Sequence, residues 1–212
     1  MRFIIAFVAG TLLAASPAFA AEDSGFYVGA GLGNFSLSSE AISIDQGGLE
    51  IDTGRDFDGS DFAYKILGGW QWNKYIAFEA EWFDGGKPDD NFDFSYSDPE
   101  VEFDGQLTIE ADTTGWVLSV LGIWPFGDSF NLFAKLGFVM WDVEGRGVIK
   151  VPDFDIQESG SLGSESGTDF AWGIGGTWNF MDNMGLRAEY QQFELDDFNT
   201  VNLVTGSFIY KF

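Results

Sequence analysis

Ile76-Ala77-Phe78-Glu79-Ala80-Glu81-Trp82 alternates between two kinds of side chain. In an extended strand, Ile76, Phe78, Ala80 and Trp82 share one face, while Ala77, Glu79 and Glu81 share the other. Which face meets water and which meets the interior decides the fold, and the rest of the chain answers it.

Seven further segments carry the same period. Phe26, Val28, Ala30 and Leu32 oppose Tyr27, Gly29, Gly31 and Gly33. Tyr64, Ile66, Gly68, Trp70 and Trp72 oppose Lys65, Leu67, Gly69 and Gln71. The segment 116–124 sets Trp116, Leu118, Val120, Gly122 and Trp124 against a mixed face of Val117, Ser119, Leu121 and Ile123. Leu132, Ala134, Leu136, Phe138 and Met140 face away from Phe133, Lys135 and Gly137. Phe170, Trp172, Ile174, Gly176 and Trp178 oppose Ala171, Gly173, Gly175 and Thr177. Leu186, Ala188 and Tyr190 oppose Arg187, Glu189 and Gln191. At the end of the chain, Val204, Gly206, Phe208, Tyr210 and Phe212 oppose Thr205, Ser207, Ile209 and Lys211.

The connections alternate in length. Short ones fall at 73–74, 125–129 and 179–183, and long ones cover 34–60, 83–115, 141–168 and 194–201. Short turns at one end and long loops at the other are the pattern of an antiparallel transmembrane barrel. Structureless connections above about 12 to 15 residues are uncommon in compact soluble domains. A secreted β-sandwich or lipocalin-like barrel would moreover turn the aromatic face inward. The reading is therefore an all-β, eight-stranded antiparallel transmembrane β-barrel with short periplasmic turns and long extracellular loops.

The chain start agrees with export. Arg2, an apolar run from Phe3 to Ala15 and the small residues Ala18 and Ala20 make the three parts of a secretory signal, too short to span as a helix. Residues 1–21 are expected to be a cleaved signal peptide, cut after Ala20 or Ala21, and 22–212 the barrel domain. Cysteine and histidine are both absent, so no disulfide staples the fold and the commonest general base and metal ligand is missing. The aromatic residues, 17% of the chain, and 28 glycines against 5 prolines suit long paired strands.

With the aromatic face toward lipid, Lys65, Glu79, Glu81, Lys135, Arg187, Glu189 and Lys211 fall inside. An eight-strand interior is only wide enough for side chains to fill it, and buried charges persist when paired. These residues are expected to form a charge network that plugs the lumen, with the inward glycines making room for it. Trp70, Trp72, Trp82, Trp116, Trp124, Trp172 and Trp178 fall on the lipid face as an aromatic girdle, leaving Trp141 apart.

The formal charge of −24 is unevenly placed: 25 of 34 acids lie in the four long connections. Such a charge excludes nucleic acid as a partner. Oxygen-rich loops can hold calcium, and divalent cations are candidate partners there. No segment has EF-hand spacing, and Asp89, Asp90, Asn91 and Asp93 form only a loose cluster, so a metal site stays unassigned. Loop two also alternates, in Phe92, Phe94 and Tyr96 and in Val101, Phe103, Leu107 and Ile109, which suggests hairpins continuing past the membrane.

Gly-bearing Phe26-Tyr27-Val28-Gly29-Ala30-Gly31-Leu32-Gly33, Gly185-Leu186-Arg187-Ala188-Glu189-Tyr190 and the ending Phe208-Ile209-Tyr210-Lys211-Phe212 resemble the OmpA-like transmembrane barrel superfamily of Gram-negative outer membranes. The resemblance implies an outer-membrane location and lipid and lipopolysaccharide around the barrel. It further implies that Phe208, Tyr210 and Phe212 are the signal read by the barrel assembly machinery. Gly206 departs from the common terminal pattern by one residue, and no peptidoglycan-binding domain is expected.

The functional expectation is a structural, surface-exposed barrel without catalysis and without a cofactor. A gated narrow channel for ions or small solutes is the alternative. An outer-membrane hydrolase is disfavoured, since its serine or water would lack a histidine to activate it.

Overall fold

The computed structural model describes residues 24–39, 43–46, 49–52, 57–98, 101–151, 156–195 and 200–212. The expected signal peptide lies outside them. The strands are β1 (Gly25–Ser39), β2 (Ser43–Gln46), β3 (Leu49–Asp52), β4 (Phe57–Asn73), β5 (Ile76–Asp84) and β6 (Asp89–Asp98). They continue as β7 (Val101–Phe126), β8 (Phe130–Val151), β9 (Ile156–Met181), β10 (Met184–Glu194) and β11 (Thr200–Lys211). No helix of the described residues is long and apolar enough to cross a membrane, which says nothing against crossing by strands.

Nine strands form one antiparallel sheet in the order β5-β4-β1-β11-β10-β9-β8-β7-β6, and β5 also pairs with β7. Pairing thus leaves β5 through β4 and comes back to it through β7, with no open edge along that contact. The first and last strands meet in the same ladder, β1 on β11, with Tyr27 opposite Lys211 and Ser38 opposite Thr200. The expected count of eight falls one short: the ninth strand, β6, lies on the first half of β7 from Asp89 opposite Glu110 to Asp98 opposite Val101. β2 and β3 form a separate hairpin.

Three of the four long connections expected from sequence, 34–60, 83–115 and 141–168, are mostly strand. β7 and β8 stay paired from Phe126 opposite Phe130 out to Gln106 opposite Lys150. β8 and β9 stay paired as far as Val151 opposite Ile156. The acidic residues that made 141–168 read as loop alternate with Val143, Gly145 and Gly147: Val143 is buried in the interior while Asp142 and Glu144 are exposed, so period two continues with water in place of lipid on the outer face.

Alternation places the side chains as period two requires. Phe26, Val28, Leu32, Ile66, Phe78, Leu118, Val120, Leu132, Leu136, Phe138, Ile174 and Leu186 are exposed on the outer face. The inner face is apolar at two levels. One cluster near the short turns holds Tyr27, Leu67, Ala77, Leu121, Phe133 and Ile209. A larger one toward the long hairpins includes Phe35, Phe83, Trp141, Val139, Phe193 and Leu203.

Candidate functional site

The inner charged residues come from strands β4, β5, β8 and β10, each at an inward position of its alternation. Lys65, Glu79, Glu81, Lys135, Arg187 and Glu189 are all buried. The Lys135 ammonium is the hub, bonding Glu79 Oε1 at 2.9 Å, Glu81 Oε2 at 3.0 Å and Glu189 Oε1 at 3.0 Å. Lys65 Nζ bridges Glu189 Oε2 at 2.7 Å and Glu81 Oε2 at 3.0 Å. Arg187 Nη1 donates to Glu79 Oε2 at 2.6 Å, and its Nε to Thr177 Oγ1 at 3.4 Å.

Neutral donors complete the band. The Tyr27 hydroxyl donates to Glu79 Oε2 at 2.9 Å, and Gln191 Nε2 to Glu81 Oε1 at 2.8 Å. Every oxygen of the three carboxylates therefore has a donor, and three cations balance three anions. A buried ionic cluster survives only under both conditions, because desolvation otherwise exceeds the Coulomb gain.

Glu79, Glu81 and Glu189 bring one oxygen each within 4.8 Å of one another, the geometry of a metal site. Lys135 already bonds an oxygen of all three, so an ammonium occupies the place an ion would need. Asp90 Oδ2 and Oδ1 accept from the backbone of Asp58 and Asn91, and Asn91 Oδ1 from Thr108, so these residues of the acidic cluster face local donors. The Asp93 side chain lies outside the described residues.

The inward glycines serve rings more than charges. A Cβ on Gly69 would overlap the Tyr27 ring, and one on Gly175 the Phe133 ring. Those two rings flank the Arg187 guanidinium, with centroids 5.6 Å and 4.8 Å away. Glycine thus admits the aromatic groups that hold Arg187 against Glu79.

Lys211 stands apart from the other six. It is only half-buried, at the short-turn mouth, and forms no ion pair with the three glutamates. Of the outward tryptophans, Trp70, Trp72, Trp116, Trp124 and Trp178 are exposed. Trp82 packs edge-on to Tyr64, and Trp172 lies beside Tyr190 while donating to Glu194 at 3.0 Å. Trp141 points inward, 4% exposed, and donates to Asp169 Oδ2 at 2.6 Å. Phe208 and Phe212 are exposed near the chain end, with Tyr210 edge-on to Phe212.

Sequence reasoning missed the aromatic stack above the charges. Phe35, Phe83 and Phe193 stand in a row, with centroids 5.9 Å and 5.2 Å apart. Phe35 and Phe193 fall just beyond the segments read as strands; Phe83 is the inward position that continues Glu79 and Glu81, a signal that was present.

The chain belongs to the family described as outer membrane protein beta-barrel domain, whose model matches residues 5–212. It is accordingly an outer-membrane protein of a Gram-negative envelope. Among solved structures, Neisserial surface protein A is similar over 89% of this chain and 99% of its own, at 14% identity and a TM-score of 0.50. The outer membrane protein OprG from Pseudomonas aeruginosa matches over 90% of this chain and 97% of its own, at 12% identity and a TM-score of 0.48. Ail, the attachment invasion locus protein of Yersinia pestis, matches over 89% of this chain and 99% of its own, at 15% identity and a TM-score of 0.43. No curated protein matches the chain in sequence.

Proposed function

We propose that this member of the outer membrane protein beta-barrel domain family is a structural, surface-exposed barrel whose lumen is closed by its own side chains and which performs no catalysis. Eight strands, β1, β4, β5 and β7 to β11, form the transmembrane cylinder, and β6 belongs to the part outside the membrane. Outward positions from Phe130 to Met140 in β8 cover ten residue steps, about 25 Å at a tilt of ~40°. That is the height of an outer-membrane hydrocarbon band.

Lipid and lipopolysaccharide meet this band, with the seven outward tryptophans as its girdle. Divalent cations bridge the acidic hairpins to one another and to lipopolysaccharide phosphates, since a net charge of −24 otherwise repels them. Residues 1–21 direct export, and Phe208, Tyr210 and Phe212 present the assembly machinery with its signal.

The observation that carries this reading is the Lys135 ammonium tied to all three buried glutamates. Apolar side chains fill the interior on both sides of it. A water-filled path would have to break several charge-assisted bonds at once. Planar-bilayer recording of the purified protein tests this: the expected trace shows no discrete openings, and reproducible single-channel steps would refute the plug and favour the channel.

A further inference from the structure

We propose that the short-turn mouth of the barrel binds one small oxyanion, a carboxylate or a phosphate, on Lys211 and Arg187. Six inner charges neutralise one another, three against three. Lys211 is the seventh and lies outside that balance. Among the described residues no carboxylate, that of Phe212 included, lies within ion-pair distance of it.

Lys211 lines a concavity of ≈ 30 Å³ together with Arg187, Gln71, Asn131 and Thr177, the other half of its wall being apolar side chains and the Tyr27 ring. That volume takes one or two water-sized groups, about the oxygen pair of a single oxyanion head. Gln71 Nε2 spends one hydrogen on the Asn73 carbonyl at 3.2 Å and has a second to offer, and Asn131 and Thr177 are neutral polar neighbours. Asp128 and Asp182, the acids in the turns at this end, are exposed and form no part of the wall.

A half-buried ammonium that has no carboxylate within ion-pair distance among the described residues, beside a guanidinium whose own partner is Glu79, is unfavourable, and a bound anion relieves it. A free ion and a lipid headgroup phosphate share this chemistry.

The test follows backbone amide shifts by NMR in the full barrel in nanodiscs, with inorganic phosphate and acetate as probes at constant ionic strength. Saturable shifts are expected at Asn131, Thr177 and Lys211. Binding should weaken by about tenfold or more in Lys211→Met, a change of roughly 1.4 kcal/mol. It should survive in Lys211→Arg and in Lys74→Ala, whose lysine sits over the Tyr75 ring on the turn. Unheated gel mobility establishes that each variant is folded. Discs with and without anionic lipid separate the sources: equal titration in both identifies a free ion, and amides already shifted in anionic discs identify a headgroup. Shifts that never saturate, or a folded Lys211→Met variant that titrates as wild type does, overturn the site.

Discussion

Replacing Lys135 with methionine removes the hub of the charge band while keeping a side chain of similar length. Glu81 Oε2 retains Lys65, and Glu79 Oε2 retains Arg187 and Tyr27. Glu79 Oε1 and Glu189 Oε1 have Lys135 as their one donor among the described residues and lose it. Each orphaned buried acceptor costs ~1–3 kcal/mol, more where charged, and breaking a buried pair costs ~3–5 kcal/mol. A destabilisation of about 4 kcal/mol is therefore expected, read from urea unfolding of the vesicle-embedded barrel by tryptophan fluorescence. Adding Glu79→Gln to Lys135→Met restores neutrality, leaving Lys65 and Arg187 against Glu81 and Glu189. The double variant should be more stable than the summed single effects by at least about 1 kcal/mol, since residues in one network couple by ~0.5–3 kcal/mol. A loss under about 1 kcal/mol for Lys135→Met, or strict additivity, would refute a coupled, desolvated band.

Glycine positions offer an independent check on the inner packing. Gly137→Ala places a Cβ against the Leu118 carbonyl oxygen, whereas Gly68→Ala meets nothing within 4 Å. Overpacking of this kind costs ~1–3 kcal/mol, so Gly137→Ala should lower unfolding stability by that much and Gly68→Ala by less than about 0.5 kcal/mol; equal effects would contradict the register. On the outer face, Val120→Arg near the middle of the apolar band should cost ~2–4 kcal/mol in lipid, and a neutral result would show that Val120 does not face hydrocarbon. Deleting Phe212 should slow insertion by the assembly machinery in a reconstituted assay while leaving the assembled barrel's unfolding midpoint little changed. Wild-type insertion rates would remove Phe212 from the proposed signal.

The outer face of the eight segments read as strands was legible because lipid imposes one rule on it: alternate positions must be apolar. Phe78 and Trp82 obey that rule beside Glu79 and Glu81, so both the strand and its orientation could be read from seven residues. The inner face obeys no such rule. Val117 and Leu121 blurred the pattern of 116–124 because β7 runs through both apolar clusters and has only Ser119 between them. The hairpins were under-read for a related reason: outside the membrane a paired strand tolerates Asp142, Glu144 and Arg146 on its outer face, and composition alone made such segments resemble loops. The ninth strand was foreshadowed by the alternation of Phe92, Phe94 and Tyr96 and of Val101, Phe103, Leu107 and Ile109, two runs that pair with Phe92 opposite Leu107 and Tyr96 opposite Phe103.

Pairing among the charges is half of what lets them stay buried; the two apolar clusters supply the other half. Ion pairs strengthen as water is excluded, and the same exclusion raises the cost of any charge left over. The Phe35, Phe83 and Phe193 stack keeps water out on the hairpin side, and Tyr27, Leu67, Leu121, Phe133 and Ile209 do so on the turn side. A lumen built this way resists partial opening. Water admitted past either cluster weakens every bond at Lys135 together, so the interior should behave as one cooperative unit. Thinning a cluster, as in Phe83→Ala, should then destabilise the charge band it does not touch: the cost of Lys135→Met should fall by at least about 1 kcal/mol in a Phe83→Ala background. An unchanged cost would mean that the charges hold the interior closed by themselves.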